Sequence, residues 1–328
     1  MAKEVSVANV WLVTGGAGFI GSNLVRALLQ EGRRVRVLDN FLTGFRINLA
    51  DIRSDIEFIE GDIRQADACQ AACRGVEVIL HQAALPSVPR SMENPRASFE
   101  NNVLGTFNIL MAARDRGVRR VVLAASSSAY GDTEELPKRE TMPLRPLSPY
   151  AADKGAGELY AAMFHRAFGL QTVSLRYFNV FGPQQDPANP YSGVIAAFAA
   201  AMLRGRRPTI FGDGLQSRDF TFVQNVVHAN LLAAAATEVH GEVVNIGCGE
   251  AINLNQMVTV FNEILGTSLQ PIYAPPRAGD VKHSLADISA AASLIGYRPQ
   301  VRFADGLRQT IEWYRHAIET GYGGWDKM

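Results

Sequence analysis

One tyrosine and one lysine stand four residues apart in a chain that otherwise favours arginine. The sequence has 5 lysines and 27 arginines, and its single Tyr-x-x-x-Lys pair is Tyr150 and Lys154. On a helix, residues i and i+4 share one face, so the ammonium would lie beside the phenol. A neighbouring cation stabilises phenolate and lowers the pKa of the phenol. Tyr150 is therefore a candidate general base, although a surface pair on an amphipathic helix would have the same spacing.

A glycine-rich loop near the start of the chain could hold a phosphate. Gly15, Gly18 and Gly21 have G-x-x-G-x-x-G spacing between an apolar run and a helix-like run that Ser22 is expected to cap. Glycines permit a tight turn and a close approach of the backbone, and the helix N-terminus then presents N–H groups to a pyrophosphate. Strand, turn and helix together predict a dinucleotide site.

Asp39 ends the second predicted strand, 18 residues after Gly21. There its carboxylate could accept from the ribose hydroxyls of NAD and would repel the extra phosphate of NADP. Asp62 follows the third predicted strand and could meet the adenine, or it could be a solvated loop acid. The sequence thus predicts NAD as the cofactor. Three arginines close by in sequence keep NADP open as an alternative: Arg33, Arg34 and Arg36.

Apolar strand-like segments alternate with helix-like segments through the first half of the chain. This alternation is typical of an α/β fold with a doubly wound parallel sheet. After Phe178 the chain becomes richer in proline, glycine and asparagine and mixes short strands, helices and turns, so a smaller C-terminal domain is expected there. One later segment, 241–249, is expected to return to the main sheet. Strands are predicted at 7–16, 33–40, 55–62, 76–84 and 118–128, and helices at 22–32, 97–117 and 150–169.

The composition is that of an ordinary globular protein. Formal net charge is +0 at pH 7 and hydrophobic residues make up 47% of the chain, so neither a nucleic-acid partner nor a membrane partner is expected. Cys69, Cys73 and Cys248 have no metal-site spacing and no even-numbered disulfide framework. No apolar run is long enough to span a membrane. A cytoplasmic protein with reduced thiols and no metal is expected.

Five ordered motifs resemble those of one enzyme family. In chain order they are TGGAGFIG, AASSSAYGD, YAADK, RYFNVFGPQQ and GDGLQSRDF. With them the chain resembles an extended short-chain dehydrogenase/reductase and, more narrowly, the nucleotide-sugar 4-epimerases that act on UDP-N-acetylglucosamine and UDP-glucose. The resemblance runs from about Val7 to Trp313. It implies reversible C4 epimerisation of a UDP-hexose through a transient 4-keto sugar, with tightly bound NAD.

The resemblance implies catalytic roles for three residues. Tyr150 and Lys154 match the family's base and its partner, and the ammonium would also hydrogen-bond the nicotinamide ribose. Ser126 matches the hydroxyl that bonds the sugar O4. The next two positions hold Ser127 and Ser128, where related 4,6-dehydratases commonly have an Asp-Glu pair. The chemistry is therefore expected to stop at C4, since dehydration needs a further acid and base.

The resemblance also implies which residues hold the cofactor and the sugar nucleotide. His81 is expected to be structural and near the cofactor. One departure from the family is Asp153, because serine or threonine is often found just before the lysine. The implied cofactor residues are Gly15, Gly18, Phe19, Ile20, Asp39, Asn40, Asp62, Ile63, Asn102, Tyr150 and Lys154. The implied substrate residues are Pro86, Ser87, Ser126, Ser127, Ser128, Tyr150, Asn179, Gln185, Val194, Phe211, Arg218, Arg277, Asp280 and Ser284.

Ser284 is expected to decide which sugar fits. A bulky tyrosine is common at the matching position in enzymes restricted to UDP-glucose and UDP-galactose, because its ring fills the space that an N-acetyl group needs. Serine leaves that space open, so acceptance of UDP-N-acetylglucosamine and UDP-N-acetylgalactosamine is predicted. Epimerases that are specific for the N-acetyl sugars can have glycine where this chain has Pro86. Activity on the plain hexoses is therefore expected to persist.

The resemblance implies a Rossmann domain at 1–178 that binds NAD. The remainder, 179–328, should mainly bind the UDP-sugar, with 219–250 returning to the Rossmann domain. Helices around Phe99–Arg116 and Tyr150–Phe168 resemble those that pair into a four-helix dimer interface, so a homodimer is expected. Three alternatives remain open: a UDP-glucuronate 4-epimerase, a nucleotide-sugar reductase and a non-catalytic NAD-binding protein.

Overall fold

A computed structural model of the chain describes residues 10–186, 193–276 and 282–322. Its strands are β1 (Val10–Thr14), β2 (Arg34–Asp39), β3 (Ile56–Glu60), β4 (Val76–His81), β5 (Arg120–Ser126), β6 (Gln171–Tyr177), β7 (Val180–Phe181), β8 (Thr209–Phe211), β9 (Ser217–Arg218), β10 (Thr221–Phe222), β11 (Glu242–Ile246), β12 (Ile252–Asn253) and β13 (Ile272–Ala274). Its α-helices are α1 (Phe19–Gln30), α2 (Ala66–Ala72), α3 (Val88–Glu93), α4 (Pro95–Phe99), α5 (Gly105–Asp115), α6 (Pro149–Phe168), α7 (Val194–Met202), α8 (Val223–Ala235), α9 (Leu254–Leu265), α10 (Ser289–Ile295) and α11 (Phe303–Glu319). Residues Arg46–Asp55 and Ser127–Tyr130 are 3-10 helical, and Glu100–Leu104 form a π turn between α4 and α5.

The central sheet has seven strands in the order β11-β6-β5-β4-β1-β2-β3. The pairs β1–β2, β2–β3, β1–β4 and β4–β5 are parallel. The strand order therefore reverses between β1 and β4, and the predicted doubly wound sheet is confirmed. In such a sheet, ligands bind outside the carboxyl ends of the strands at the reversal. The return of 241–249 is also confirmed, because β11 is the edge strand beside β6.

Apolar side chains join the strands to the helices. All five residues of β1 are buried. One core cluster connects Leu12 of β1, Ile79 of β4 and Val121 of β5 with Ile109 of α5 and Phe164 of α6. Parallel strands that are covered by helices on both faces read as continuous apolar runs. This is why β1 to β5 could be predicted from the sequence, whereas β6 was not predicted.

The start of α1 differs from the prediction of a cap at Ser22. The helix begins at Phe19, with Gly18 at the N-cap and no side-chain hydrogen bond there. Ser22 is buried inside the helix, and its hydroxyl donates to the Phe19 carbonyl at 3.1 Å. The glycine turn already reverses the chain, so the helix starts within the TGGAGFIG motif itself.

Helix α6 carries the Tyr-Lys pair and has strong end signals. Ser148 caps it by accepting from the Ala151 amide at 3.2 Å, and Pro149 occupies its first position. Gly169 ends it in the left-handed region at φ 72°. Tyr150 is therefore fixed in the first turn of a long helix, as predicted.

The chain forms two compact units that interleave along the sequence. The second unit holds three two-stranded sheets, β7–β10, β9–β12 and β8–β13. The division drawn from the sequence, 1–178 and 179–328, stays a prediction. The first unit comprises the described residues of Met1–Ala125, Ser148–Leu175 and Asn230–Val243, and the second those of Ser126–Leu147, Arg176–Ala229 and Val244–Met328.

Candidate active site

The turn between β1 and α1 is too tight for side chains. Gly15 has φ +69°, and a Cβ there would lie 2.7 Å from the backbone of Ala83. A Cβ on Gly21 would lie 2.1 Å from the Gly15 carbonyl oxygen. Helix α1 then opens on Phe19 and Ile20 without a side-chain cap, so the N–H groups of its first turn remain for a ligand. This turn fits the pyrophosphate of a dinucleotide.

Asp39 lies at the carboxyl end of β2 and is buried. Its Oδ2 accepts from the Ala17 amide at 2.9 Å, and its Oδ1 accepts from the Phe41 amide at 2.7 Å. Burial raises the pKa of the carboxyl, while these backbone hydrogen bonds lower it. Each oxygen keeps further acceptor capacity, so the carboxylate can receive the two ribose hydroxyls of a dinucleotide.

Tyr150 and Lys154 lie side by side on α6. The Lys154 Nζ is 5.9 Å from the centroid of the Tyr150 ring and donates to the Ala124 carbonyl at 2.9 Å. Burial lowers the pKa of Lys154 to about 8, and the carboxylates of Asp153 and Glu158 act in the opposite direction. The ammonium is thus tied to β5 and held beside the phenol, as the spacing predicts.

Ser126 ends β5 and belongs to the second unit. Its Oγ accepts from the Ser128 amide at 3.2 Å and lies 2.9 Å from the Ser128 Oγ. Ser126, Ser127 and Ser128 are all half-buried at the start of the 3-10 segment. The Ser126 hydroxyl is therefore oriented by its own turn, and the two residues after it carry no carboxylate.

Three predicted substrate residues converge in the second unit. Asn179 donates from Nδ2 to the Asp219 carbonyl at 3.2 Å, and the Asp219 amide donates to the Ser284 carbonyl at 2.8 Å. Arg218 precedes Asp219 and donates to the Lys282 carbonyl at 3.2 Å. Asp219 is thus the backbone link between Asn179, Arg218 and Ser284.

The Asp219 side chain was missed by the sequence analysis. It is fully buried, and its carboxylate accepts from the amides of Cys248 (2.7 Å), Gly249 (2.9 Å) and Ala286 (3.2 Å). Burial raises its pKa to about 6 against the opposing effect of these hydrogen bonds. The one available signal was an acid between the arginine and the aromatic residues of RDFTF.

The family is shown by comparison with known proteins. Residues 11–247 match the model of the NAD dependent epimerase/dehydratase family. The chain belongs to this family. The resemblance to extended short-chain dehydrogenases is confirmed, and so is NAD as the cofactor.

The chain is similar to several 4-epimerases over nearly its whole length. It is 40% identical over 309 residues to a UDP-glucose 4-epimerase of Mycolicibacterium smegmatis, covering 93% of this chain and 98% of that protein. A UDP-N-acetylglucosamine 4-epimerase from Methanobrevibacter ruminantium, in complex with UDP-N-acetylmuramic acid, superposes with a TM-score of 0.89 at 37% identity, covering 94% and 98%. The Thermus thermophilus UDP-glucose 4-epimerase complex with NAD gives a TM-score of 0.84 at 38% identity, covering 94% and 100%.

Three arginines near Asp39 in sequence left NADP as an alternative cofactor: Arg33, Arg34 and Arg36. In the structure they lie away from Asp39 or already contact other groups. Arg34 pairs with Val10, the first residue of β1. Arg34 lies five positions before Asp39, which is about 16 Å along a strand. The Arg33 guanidinium lies 5.0 Å from the Trp11 ring centroid. Arg36 donates to the Ala72 and Arg74 carbonyls and pairs with Glu57. The residues around Asp39 therefore fit NAD.

The loop after β3 is fixed by its own hydrogen bonds. Asp62 accepts from the Arg64 guanidinium at 2.6 Å and from Asn40 Nδ2 at 3.0 Å, and the Arg64 contact holds the pKa of Asp62 below its usual range. The Ile63 carbonyl accepts from Asn108 Nδ2 at 3.0 Å. Because the Asp62 carboxylate is already engaged, its expected contact with adenine stays a prediction.

His81 is a buried, neutral imidazole. Its Nδ1 is 2.7 Å from the Thr14 hydroxyl and its Nε2 is 3.0 Å from the Thr106 hydroxyl. Thr106 donates to the Asn102 carbonyl, so it must accept from Nε2–H, and Nδ1 is then the acceptor for Thr14. Burial lowers the pKa of His81 to about 3. These contacts fit the structural role expected for it.

Asn102 lies in the π turn and holds the loop after β4. Its Oδ1 accepts from the Leu85 amide at 2.8 Å, and its Nδ2 donates to the Leu85 carbonyl at 3.3 Å and to Ser98 Oγ at 3.2 Å. Pro86 and Ser87 follow, and Ser87 caps α3 with φ at 133°. Strained residues of this kind cluster at functional sites. Asn102 therefore positions the segment that carries two predicted substrate residues.

The remaining predicted substrate residues have different surroundings. The Phe211 carbonyl accepts from Gln216 Nε2 at 2.7 Å, and Val194 is the first residue of α7. The Gln185 Oε1 is buried and has no hydrogen-bond partner among the described residues. Such an acceptor is expected to receive a ligand or water. Two predicted residues lie outside the described part of the chain: Arg277 and Asp280.

Within residues 10–186, 193–276 and 282–322, no three His, Cys, Asp or Glu side chains gather as a metal would require. In the same ranges, none of the helices combines the length and apolar character needed to cross a membrane. All three cysteines are free thiols, and burial raises the pKa of each to about 12.

Proposed function

We propose that the chain interconverts UDP-hexoses at C4, with UDP-N-acetylglucosamine, UDP-N-acetylgalactosamine, UDP-glucose and UDP-galactose as substrates and NAD as cofactor. The observation that carries the proposal is the Lys154 ammonium, which bonds the Ala124 carbonyl and lies beside the Tyr150 ring. The similarity to 4-epimerases over more than 90% of the chain supports it.

Three side chains take part in the transfer of the O4 proton, each with a different role. Tyr150, as phenolate, takes the proton from O4 of the hexose and returns it at the end of the cycle. Lys154 stabilises the phenolate by its charge, and Ser126 positions O4 by a hydrogen bond. When bound, NAD supplies a hydride acceptor and donor for C4, so the overall redox state of the sugar is unchanged.

The reaction stops at C4 because neither of the two residues after Ser126 can act as an acid or a base at C5 and C6. Ser127 and Ser128 carry hydroxyls and no carboxylate, and Ser128 is engaged with Ser126. Dehydration needs a second acid and base, for which carboxylates are suited. This observation favours epimerisation over the dehydratase chemistry that other members of the family perform.

Ser284 supports acceptance of N-acetylated sugars. It is half-buried, and its backbone bonds Ser217 and Asp219 on either side, so its position is well fixed. A hydroxymethyl side chain at this position leaves room that a tyrosine ring would occupy. Pro86 in the loop after β4 is compatible with plain hexoses. Both sugar classes are therefore proposed as substrates.

The decisive experiment is to incubate the protein separately with UDP-glucose, UDP-N-acetylglucosamine and UDP-glucuronate and to separate the products. Interconversion of the first two without net consumption of NADH supports the proposal. Turnover of UDP-glucuronate alone would identify a glucuronate epimerase, and stoichiometric NAD(P)H consumption would identify a reductase. Tyr150→Phe serves as the inactive control. No turnover of any of the three sugars would contradict the proposal.

A homodimer is part of the proposal. Helices α4 to α6 carry exposed apolar side chains, and a patch of this kind on a soluble protein marks an interaction site. Light scattering on the parent should give twice the chain mass, and Leu159→Arg should give the monomer. Leu215→Arg, on an exposed leucine of the second unit, is the control that should remain dimeric. The exposed residues are Phe99, Leu104, Leu159, Tyr160 and Met163.

A further inference from the structure

Asp153 precedes Lys154 on α6 and is buried, with 7% of its surface exposed. The Ser98 hydroxyl donates to its Oδ2 at 2.5 Å. A buried carboxylate is costly unless it is hydrogen-bonded or balanced by a charge. Burial raises the pKa of Asp153, while hydrogen bonds from Ser98 and Asn102 and then the charge of Lys154 lower it.

The Ser98 hydroxyl links Asp153 to the loop after β4. Ser98 Oγ accepts from Asn102 Nδ2 at 3.2 Å while it donates to Asp153. Asn102 in turn bonds both the amide and the carbonyl of Leu85. A continuous chain of hydrogen bonds therefore runs from the residue beside the lysine to the loop that carries Ser87.

The charges that act on Lys154 come from a small set. Asp153 raises its pKa most, Glu158 on the same helix acts next, and Lys154 itself acts on neutral His81 of β4. On the helices packed against α6, Arg90, Glu93 and Arg96 are exposed, Glu100 pairs with Arg96, and Arg114 pairs with Asp115. Asp153 is thus the main counter-charge of the ammonium.

We propose that Asp153 is a positioning residue for the reaction. Its buried carboxylate keeps Lys154 in the ammonium form, and its hydrogen bond through Ser98 fixes the loop that begins at Leu85. This inference rests on the proposed function only in assigning Lys154 to the reaction. Serine or threonine at position 153 could supply a hydrogen bond but not the charge.

Two substitutions separate the charge from the hydrogen bond. Asp153→Asn removes the charge and retains an oxygen that can accept from Ser98. Ser98→Ala removes the Ser98 bond and leaves the carboxylate with its bond from Asn102. The protein, with its nucleotide as isolated, is labelled with acetic anhydride across pH 6–10, and the extent of acetylation of each lysine is measured by mass spectrometry. Lys282, which is exposed, is the internal control. Asp115→Asn, at the end of α5, is the control variant.

The labelling midpoint of Lys154 in the parent should lie near the value that burial sets, about 8. In Asp153→Asn it should fall by about one pH unit, because the opposing charge is gone. The alkaline limb of kcat/KM should move by the same amount. Ser98→Ala should leave the midpoint unchanged. It should raise KM for the UDP-sugar about 3- to 10-fold, since Asn102, which holds the loop, loses its hydrogen bond to Ser98.

An unchanged Lys154 midpoint in Asp153→Asn overturns the inference, as does an equal shift in Ser98→Ala or Asp115→Asn. The midpoint needs no turnover, so it is independent of the proposed reaction. A shifted midpoint in a protein that converts no UDP-sugar upholds the Asp153 inference and refutes the proposed function. If Asp153→Asn does not fold, Asp153→Ser, the residue common in the family, gives the same comparison.

Discussion

The Asp39 carboxylate in the first unit and the Asp219 carboxylate in the second are both buried and both held by backbone amides. The amides around Asp39 belong to Ala17 and Phe41, at most 22 residues away. We call this arrangement the Asp39 cradle. It joins two neighbouring parallel strands through the turns at their carboxyl ends.

The Asp219 cradle comprises Asp219 and the amides of Cys248, Gly249 and Ala286, which lie 29 to 67 residues away. No local motif connects these positions in the sequence. The difference teaches that the predicted cofactor site is built from contacts within one strand-turn-helix repeat. The predicted sugar site is built from contacts between distant loops.

The largest effect is expected from Tyr150→Phe, which removes the base and leaves both cradles intact. Turnover should fall about 10²- to 10⁴-fold, because a general base is lost. Binding of NAD and of the UDP-sugar should stay near the parent values. Steady-state kinetics and calorimetry measure both. Near-normal kcat would refute the mechanism, and lost NAD binding would mean that Tyr150 belongs to the cofactor site alone.

Ser284→Tyr tests the sugar side, where Ser284 is bonded to Asp219. Turnover of UDP-N-acetylglucosamine should fall by at least about 10²-fold while UDP-glucose is spared, because steric exclusion discriminates more strongly than a lost apolar contact. Ser284→Ala is the matched control and should retain both activities. Parent-like epimerisation of UDP-N-acetylglucosamine by Ser284→Tyr would show that this residue is not the gate.

Asp39→Ala tests the cofactor side. Nucleotide released from the denatured parent should be NAD(H). The variant should bind NAD about 10- to 100-fold more weakly, because hydrogen bonds to a charged acceptor are lost. The ratio of its affinity for NAD to its affinity for NADP should be smaller than in the parent. Asp62→Asn should change NAD affinity less, since Arg64 already engages that carboxylate. An equal loss in the two variants would remove the distinction drawn for the Asp39 cradle.

The smallest effect is expected on stability and concerns the Asp219 cradle. The pKa of Asp219 is raised by burial to about 6, so its contribution to stability is full below about 4 and is lost as pH rises through 6. The Tm deficit of Asp219→Asn should therefore be larger at pH 5 than at pH 7.5 by a few degrees. Only about 1 pH unit of the window between the two pKa values lies above pH 5, which corresponds to roughly 1.4 kcal/mol.

Asp62→Asn is the control of opposite sign for that measurement. Arg64 holds the pKa of Asp62 low, so its stabilisation is present above the unfolded pKa and is lost only as pH falls. Its Tm deficit should therefore grow as pH rises through about 4 and stay level between pH 5 and pH 7.5. If Asp219→Asn behaves in the same way, the backbone amides outweigh desolvation in the Asp219 cradle.

The fold was largely predictable because buried parallel strands leave apolar runs and helices leave end signals. β1, β2 and α6 were found in this way, and so was the return of β11. Two details were not. Ser22 has the chemistry of a cap but is buried inside α1, and the π turn that carries Asn102 has no local pattern. Both depend on how the helix packs, which local propensity does not encode.

The sequence by itself predicted NAD as the cofactor and Tyr150 and Lys154 as the catalytic pair. Gly15 and Gly21 lie in one turn and the start of the helix after it, and Asp39 ends the neighbouring strand. Tyr150 and Lys154 lie one helical turn apart, so spacing alone predicts the geometry of both sets. Only the tertiary structure decided what surrounds them. It buried Asp153 against Ser98, tied Lys154 to Ala124 and gathered distant amides around Asp219. Burial and long-range hydrogen bonds set the charges of these groups, and neither is readable from neighbours in the chain.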